Sequence, residues 1–470
     1  MNKLFQRLTL LLALFMMLSC NNQNRNSDSE THSFIGDAGE IKLVVLNPGH
    51  FHASLLQKFP QPQVNDTVYV YAPAGEELEQ YLASIDAYNR RADNPTNWAQ
   101  VVYEGQDYLE KMINDKSGNV VILAGNNRKK TEYIYEAINA GFNVLSDKPM
   151  VINRANYFLL SDAFDKAEEN DLYLYDVMTE RYEIVNSLTR ELANNSELFG
   201  ELQEGTPEDP AIVMQNVHHF YKEVSGVPLV RPVWFYDVEQ QGEGMADVGV
   251  HLVDLVQWQN FPDEVIDYDN DLEITSVSHW PTTLTLDQFT RSTKLDAFPD
   301  FLRKYVNDSV LEVYANGTIN YKLNGINVSV TALWNYEAAE GSGDAYNGHI
   351  KGSNATIEIV QDETTDFIKQ LFVKKASSVD EEIFDENISK AVNDLQETYP
   401  FLSAEKVSDG IYQIVAPVEF RKGHEDYFGM VAEKYFGFLV NRDMPNWEIE
   451  NMKAKYYLTT SALESVKNQN

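Results

Sequence analysis

Short apolar runs alternate with longer segments through the first part of the chain. Four of these runs are Ile41–Leu46, Val68–Ala72, Asn119–Ala124 and Phe142–Leu145. They are rich in β-branched residues and contain few polar ones, which is the pattern of strands buried on both faces. The segments between them are long enough for crossover helices, so the alternation predicts an α/β domain with a doubly wound parallel sheet over residues 40–180. Residues 86–100 contain no such run and are predicted to form an inserted loop.

The turn after the first run has the order strand, glycine turn, helix. In that order, backbone N–H groups and a helix N-terminus can bind a pyrophosphate. A Gly-x-Gly-x-x-Gly fingerprint places Asn47, Gly49 and His52 at its glycine positions, so only the central glycine is present. An ordinary strand–helix turn therefore explains the segment about as well as a nucleotide site does. The residues predicted to bind a cofactor here are Asn47, Gly49, His50, Phe51 and His52.

Further polar residues follow the later runs, at strand ends where such sheets bind ligands. Asn126 and Asn127 follow the third run, and Lys148 follows the fourth. Together with the glycine turn they favour a nucleotide site at this edge, and all three are predicted cofactor contacts. The second run, in contrast, ends without the carboxylate that usually binds the adenosine ribose. Glu76 and Glu77 come slightly later in the chain, so the choice between NAD and NADP stays open.

A second informative segment lies near the middle of the chain, where a helix is predicted to begin near Gly244. It places Asp247, His251 and Asp254 at positions i, i+4 and i+7, on one face. The other positions are mostly apolar, so the helix should be buried. Because unpaired charge is costly to bury, three ionisable groups on such a face indicate chemistry. Taken alone, an Asp–His pair at this spacing can also be a simple surface pair.

Two motifs together resemble those of the Gfo/Idh/MocA family, the relatives of glucose–fructose oxidoreductase and inositol dehydrogenase. The first is Asp147-Lys148-Pro149, where the family has Glu-Lys-Pro at a strand end. The second is Asp-x-Gly-x-His-x-x-Asp, which runs from Asp247 to Asp254. The order of the motifs and their placement on compatible elements make the resemblance fairly specific.

The resemblance implies a fold with two parts. Residues 40–180 would form a Rossmann dinucleotide-binding domain. Residues 181–470 would form an α+β domain for substrate binding and oligomerisation, with a large open, mostly antiparallel sheet and a closing helix near residues 455–466. The outer face of this sheet joins copies of the chain in family members, so a homo-oligomer is expected. The apolar runs of this part predict separate strands at Ser309–Ala315 and Thr318–Leu323 and one strand at Gly348–Val360.

The resemblance also implies a chemistry, the transfer of a hydride between NAD or NADP and a hydroxyl of a sugar, glycoside or polyol. The predicted catalytic residues are Lys148, His251 and Asp247, with the lysine and the histidine flanking the substrate hydroxyl. Histidine suits removal of the hydroxyl proton because its unperturbed pKa lies near neutrality. Asp247 or Asp254 would orient the imidazole, and Lys148 would stabilise the alkoxide or take the proton itself. Gly249 would let the helix backbone approach the ring or the sheet.

Substrate contacts are predicted for Lys148, Asp247 and His251 and for two further residues. Arg181 lies near the crossover between the domains, and His218 and His219 follow a predicted strand over residues 211–217. Adjacent strand residues point to opposite faces, so at most one of these histidines is expected to reach a ligand, and His218 is the candidate. A metal site formed by the pair is not expected, and no metal site is predicted elsewhere.

The net charge of the chain indicates which partners it can bind, and its single cysteine indicates where it is located. The chain has 72 acidic and 37 basic residues and a formal charge of −35, which argues against nucleic-acid binding. Its single cysteine, Cys20, follows a basic start and an apolar run, and residues 1–20 resemble a bacterial lipoprotein signal with lipidation at this cysteine. The polar residues 21–39 are predicted to be a disordered tether. The sequence thus predicts an exported protein, anchored to the cell envelope by its N-terminal lipid alone.

Such a location affects how a cofactor would be used. Outside the cytoplasm there is no free nicotinamide pool, so NAD or NADP is expected to be tightly bound, or the reaction cycle to be redox-neutral. The second condition leaves an alternative, an NAD-dependent glycoside hydrolase that regenerates its cofactor in each turnover. A third interpretation, favoured only by the altered glycine turn, is a catalytically decayed lipoprotein that binds carbohydrate.

Overall fold

A computed structural model of the chain describes residues 34–224, 227–340 and 342–467. The predicted signal peptide, with Cys20, lies outside the described residues, as does most of the predicted tether. The end of that tether is folded, however, because Phe34 is only 6% exposed and packs into the core of the first domain. The carboxylate of Glu40 also accepts hydrogen bonds from the backbone N–H groups of Ile35 and Gly36. The folded region therefore includes residues 34–39, which the sequence assigned to the tether.

No helix within the described ranges is long and apolar enough to cross a membrane.

The first sheet has six parallel strands. They are β1 (Leu43–Leu46), β2 (Thr67–Ala72), β3 (Ala99–Glu104), β4 (Val120–Leu123), β5 (Asn143–Asp147) and β6 (Leu174–Val177). Their order is β3-β2-β1-β4-β5-β6, the doubly wound order of dinucleotide-binding sheets, which confirms the predicted fold class. The helices between them are α1 (His52–Leu55), α2 (Glu76–Arg90), α3 (Tyr108–Asp115), α4 (Lys130–Asn139) and α5 (Arg154–Glu169). The carboxyl ends of β1, β4 and β5 meet at one edge of the sheet.

The predicted inserted loop over residues 86–100 is shorter than expected. Residues 86–90 complete α2, residues 91–98 form the loop, and residues 99–100 begin the edge strand β3, which pairs in parallel with β2. The alternation of apolar runs did not reveal β3 because an edge strand lacks full cover, and Val101 and Val102 are 51% and 40% exposed.

The second sheet contains ten strands and is mixed but mostly antiparallel, as expected. Its strands are β7 (Ile212–Tyr221), β10 (Leu272–Leu284), β11 (Val306–Asn307), β12 (Val310–Leu323), β13 (Ile326–Glu337), β14 (Ala345–Lys351), β15 (Ala355–Gln361), β16 (Gln370–Lys375), β17 (Ser403–Ser408) and β18 (Ile411–Val415). Only β7 and β13 pair in parallel within the described part of this sheet. Two predictions need correction: β12 is one continuous strand where two were expected, and the predicted strand Gly348–Val360 is the hairpin of β14 and β15.

The remaining elements surround this sheet. They are β8 (Glu223–Val224), β9 (Val227–Pro228), α6 (Ile184–Ala193), α7 (Gly244–Asp247), α8 (Gly249–Asn260), α9 (Leu286–Thr293), α10 (Glu381–Leu395), α11 (His424–Asn441) and α12 (Asn446–Lys467). The closing helix predicted near residues 455–466 is the second half of α12.

The last two helices return to the first domain. Phe428, Tyr435 and Phe438 of α11 and Met452 and Tyr456 of α12 are buried in the same hydrophobic core as the six-stranded sheet. The expected division at residue 180 is therefore incomplete, because the core of the Rossmann domain is built from both ends of the described chain.

Candidate active site

Lys148 and Asp147 stand at the carboxyl end of β5, and their side chains point to different partners. The Lys148 ammonium donates to the Asp247 carboxylate at 2.8 Å and to the Asp247 backbone carbonyl at 3.0 Å. Burial opposes the charge of Asp247, but Lys148 holds the pKa of its carboxyl below the usual range. The two motifs predicted from the sequence therefore meet in space, through a buried ion pair between the domains.

The helix that carries Asp247 and His251 is not continuous as predicted. It is divided at Val248 into α7 and α8. Gly244 begins α7, and a Cβ atom there would lie 1.8 Å from the carbonyl oxygen of Ala315 on β12. At Gly249, in contrast, the nearest atoms to such a Cβ would be 3.7 Å away. The close backbone approach expected at Gly249 occurs at Gly244.

His251 lies beside Lys148 without a carboxylate to orient it. Its Nδ1 is buried and has no hydrogen-bond partner among the described residues. Burial and the positive charge of Lys148 lower the pKa of His251 to about 3, against the opposing effect of Glu180. The prediction that Asp247 or Asp254 orients the imidazole is therefore wrong, because each carboxylate is engaged by a cation instead.

Asp254 belongs to a separate buried ion cluster. Its two carboxylate oxygens each accept a hydrogen bond from Arg181 at 2.7 Å, and Lys455 of α12 donates to it at 2.7 Å. Glu448 accepts from Arg181 at 2.8 Å. Arg181 is only 7% exposed, so it connects three segments of the fold. The structure thus replaces the predicted substrate contact of Arg181 with a structural role.

The two histidines of β7 share one partner, contrary to the expected divergence. His218 Nδ1 lies 3.3 Å from Asp344, and His219 Nδ1 lies 2.9 Å from the other oxygen of that carboxylate. Lys222 donates to Asp344 at 3.0 Å. The His218 ring also stacks on Trp334, with ring centroids 5.1 Å apart. His218 therefore stays a candidate substrate contact.

A cavity of about 460 Å³ opens where β1 and β2 end. One wall is formed by Asn47 and residues 72–77, and the other by residues 230–234 with Leu295 and Phe301 of the second domain. Space is free beside the Rossmann wall, since a Cβ on Gly75 would meet no atom within 4 Å. The indole of Trp234 donates a hydrogen bond to Glu77 across the cavity. The volume is typical of a small-molecule site, and its place in the sheet is that of an adenosine.

The glycine turn that was predicted to bind the phosphates has little free space and few free N–H groups. The backbone N–H groups of Gly49 and His50 donate to the carbonyl of Ala124, at 3.1 and 3.3 Å. A Cβ on Gly125 would lie 2.7 Å from the Asn47 carbonyl, so the turn and the end of β4 lie close together. Phe51 is 49% exposed at the start of the short helix α1.

Three other predicted cofactor residues have protein partners. Asn126 donates to the Gln240 side chain at 2.7 Å, and the buried Asn127 donates to the Gln241 carbonyl at 2.7 Å. His52 is bound to Asp147 at 2.9 Å. The cavity walls and the Lys148 region fit the adenosine and nicotinamide ends of a dinucleotide, while these contacts close part of the phosphate region.

His52 is the centre of a buried group that the sequence interpretation missed. Its Nδ1 lies 2.9 Å from Asp147, whose carboxylate is 3.8 Å from His50 Nδ1. Its Nε2 lies 3.0 Å from Nε2 of His424, on α11. Lys130 donates to the Asp147 carbonyl at 3.0 Å, and burial lowers the pKa of this lysine to about 8. No motif marks His424, Lys130 or Asp344; they enter these groups through tertiary contacts.

Two family models match the chain. Residues 42–173 match the model described as "Oxidoreductase family, NAD-binding Rossmann fold" of the Gfo/Idh/MocA group, and residues 188–467 match "Putative oxidoreductase C terminal domain". The chain belongs to the Gfo/Idh/MocA oxidoreductase family. Membership accounts for the strand order and for the meeting of Lys148 with the segment of Asp247 and His251.

Among solved structures, the chain is similar to a "putative oxidoreductase" from Parabacteroides merdae. The identity is 46%, the TM-score is 0.92, and the match covers 93% of this chain and 100% of the other. The 3-ketoreductase KijD10 from Actinomadura kijaniata, solved with NADP and TDP-benzene, has 12% identity and a TM-score of 0.52, with 88% and 94% of the two chains covered. Biliverdin reductase from Synechocystis, solved with biliverdin and NADP⁺, has 10% identity and a TM-score of 0.52, with 90% and 99% covered. These last two show the fold alone. A comparison with curated proteins finds no match.

Proposed function

We propose that this family member is an NAD(P)-dependent oxidoreductase that transfers a hydride to or from a hydroxyl of a sugar, glycoside or polyol. The observation that carries the proposal is the position of Lys148, fixed by Asp247 beside the neutral His251 at the carboxyl edge of the Rossmann sheet. KijD10, a ketoreductase of the same fold, supports the reaction class. The nicotinamide, when bound, supplies or accepts the hydride.

The roles of the side chains follow from their hydrogen bonds. An ammonium has three N–H donors, and Lys148 uses two of them on Asp247. The third is available for the substrate oxygen, where it would stabilise the charge of an alkoxide. His251 is neutral and can accept the hydroxyl proton during oxidation. Asp247 acts as a positioning residue, since it fixes the direction of the Lys148 ammonium.

Tight cofactor retention is part of the proposal. The 460 Å³ cavity has walls from both domains, so an adenosine held there would contact both of them. The hydrogen bond from Trp234 to Glu77 joins the two walls and would oppose their moving apart. Mass spectrometry of denatured, freshly purified protein should therefore detect a nicotinamide nucleotide, and Trp234→Ala should release it faster. Protein that carries none and cannot be loaded would contradict the proposal.

Catalysis can be tested in protein loaded with the nucleotide. Lys148→Ala or His251→Ala should lower the rate of bound-nicotinamide reduction by sugars about 10²- to 10⁴-fold, while the nucleotide stays bound. Lys351→Ala, which alters a surface ion pair with Asp209, is the matched control. Rates that remain close to wild type in both site variants would remove these residues from the mechanism.

The products distinguish the proposed reaction from the other two interpretations. A keto-sugar indicates dehydrogenation, whereas a free sugar released from a glycoside without net reduction indicates hydrolysis. Carbohydrate binding without nucleotide binding indicates a decayed enzyme.

We also propose that the protein works outside the cytoplasm, held at the envelope by a lipid on Cys20. The basic start and apolar run before this cysteine support the proposal. Metabolic labelling with an alkyne fatty acid should mark the wild-type protein, and Cys20→Ala should abolish the label. A labelled variant, or an unlabelled wild type, would contradict lipidation at this residue.

A further inference from the structure

Three side chains at the carboxyl edge of the Rossmann sheet bring possible metal-binding atoms close together. One ring nitrogen of His50, one of His52 and a carboxylate oxygen of Asp147 lie within 4.8 Å of one another. We propose that His50, His52 and Asp147 bind a divalent transition-metal ion of the zinc type. The sequence analysis predicted no metal site, and the hydride-transfer proposal does not require one.

The spacing of the donors suits such an ion. Tetrahedral Zn²⁺ with bonds of about 2.0 to 2.1 Å places neighbouring donors about 3.3 Å apart. The Asp147 oxygen lies 2.9 Å from His52 and 3.8 Å from His50, on either side of that value. Two imidazoles and one carboxylate form a donor set that Zn²⁺ and related ions accept, and they leave a further coordination position open.

The hydrogen bonds of the group are compatible with a bound cation. The backbone N–H of His52 donates to Nδ1 of His50 at a long 3.4 Å, so this ring nitrogen is an acceptor and carries a lone pair. An ion would displace this long contact and the hydrogen bond between His52 and Asp147, and binding would release the proton of the second bond because metal ligands must be deprotonated.

A fourth residue, on a C-terminal helix, supports the geometry. His424 on α11 lies 3.0 Å from Nε2 of His52, the nitrogen that faces away from Asp147. Histidine ligands are commonly oriented by a hydrogen bond at their other ring nitrogen, and His424 supplies that partner. Because α11 packs on the Rossmann core, the complete arrangement exists only in the folded chain.

Two lysines determine how much positive charge the ion would meet. Lys148 directs its ammonium to Asp247, which balances its charge. The ammonium of Lys130 donates to the backbone carbonyl of Asp147 at 3.0 Å and opposes a cation. The expected ligand of the open position is an oxygen, such as a hydroxyl or carboxylate of a small molecule, because the ion would act as a Lewis acid there.

The test uses full-length protein that carries no affinity tag and has been stripped of metal. Titration with Zn²⁺ by calorimetry, and with Co²⁺ by visible absorption, should show one ion per chain. His52→Ala and Asp147→Asn should lose this binding, and His50→Gln should weaken it. His424→Ala should weaken it about 10- to 100-fold, the usual effect of losing an outer-shell partner. His219→Ala is the matched control. This histidine also contacts a carboxylate, that of Asp344, but Lys222 already binds that carboxylate, so the substitution should not change the titration.

The outcomes separate the two interpretations of this group. Wild-type protein that binds no ion in a fixed ratio, or site variants that bind as the wild type does, would show a hydrogen-bonded cluster only and would overturn the proposal. Circular dichroism of each variant confirms that it is folded, and the near-isosteric Asp147→Asn is the variant expected to perturb the fold least. The titrations contain no nucleotide or sugar, so their failure would not affect the proposed hydride transfer.

Discussion

His251 is a neutral residue in a charged neighbourhood. Burial and the adjacent Lys148 keep the proton off its ring, and its Nδ1 has no hydrogen-bond partner among the described residues. In the reaction proposed above, a charged imidazole could not accept a proton from the substrate. This environment keeps the ring uncharged, and it also makes the ring a weak base. The low pKa of His251 also makes the stability of the fold depend on pH.

Stability should fall as the solution becomes mildly acidic. An unfolded histidine binds a proton below pH 6.5, whereas folded His251 does so only near pH 3. Its contribution is therefore complete above pH 6.5 and is lost as the pH falls through that value towards 3. Between pH 7 and 5.5, the free energy of unfolding from urea titrations should fall about 1 kcal/mol less in His251→Gln than in the wild type.

The comparison stops at pH 5.5 because the paired carboxylates contribute mainly below pH 4. Equal losses in the two proteins would show that His251 is protonated normally in the folded chain.

Helix α7 approaches the second sheet so closely that its first residue must be glycine. Replacing Gly244 with alanine would place a methyl group 1.8 Å from the Ala315 carbonyl oxygen, and α7 or β12 must move. Overpacking of this kind should lower the free energy of unfolding by about 1 to 3 kcal/mol, or more, in urea titrations. The shift should also lower the activity, because Asp247 ends the same helix.

Gly249→Ala is the control for this substitution. Its nearest neighbours would be 3.7 Å away, and alanine favours a helix, so stability should be unchanged or higher. A destabilised Gly249→Ala together with a tolerated Gly244→Ala would contradict the packing described for the two helices.

The two elements of the active site show what could be predicted from the sequence. Strands buried on both faces and the two motifs have local signatures, so the parallel sheet and the meeting of Lys148 with the segment of Asp247 and His251 could be predicted. The partners of Asp254 were not, because Arg181 and Lys455 lie 73 and 201 residues away along the chain. An i, i+4, i+7 pattern identifies a shared face, but it contains no information about which cations that face will meet.

The sequence analysis also missed the edge strand β3 and the cavity wall from the second domain, because neither has a local sequence pattern. The strand β3 lacks a buried pattern because one of its edges has no neighbouring strand. Residues 230–234 line the 460 Å³ cavity from the second domain, and they carry no motif that would link them to β2. Their role depends on the docking of the domains, which no local pattern records.

At the scale of the whole molecule, the C-terminal helices are part of the first domain. Aromatic residues of α11 and α12 are buried against the Rossmann sheet, and Tyr456 donates to Asp176 at the end of β6 at 2.9 Å. Lys455 also connects α12 to Asp176 and Asp254. The two domains should therefore unfold as one cooperative unit.

A chain that ends at residue 420 should not form a stable Rossmann domain. It lacks α11 and α12, so the apolar surface that they cover would be exposed to water. We expect the truncated protein to aggregate or to lose the cooperative urea transition of the full chain, as followed by circular dichroism. A truncated protein with a native-like cooperative transition would show that the helices are dispensable.

The burial of α11 and α12 also sets the order in which this protein can mature. A ribosome makes the strands of the first domain long before residues 424–467. The first domain cannot complete its hydrophobic core until the final helices have been made, so the core stays incomplete while most of the chain is synthesised. We propose above that the protein is exported. If it crosses a translocation channel as an extended chain, this delay would be an advantage, because the structure would close only after nearly all of the chain has crossed.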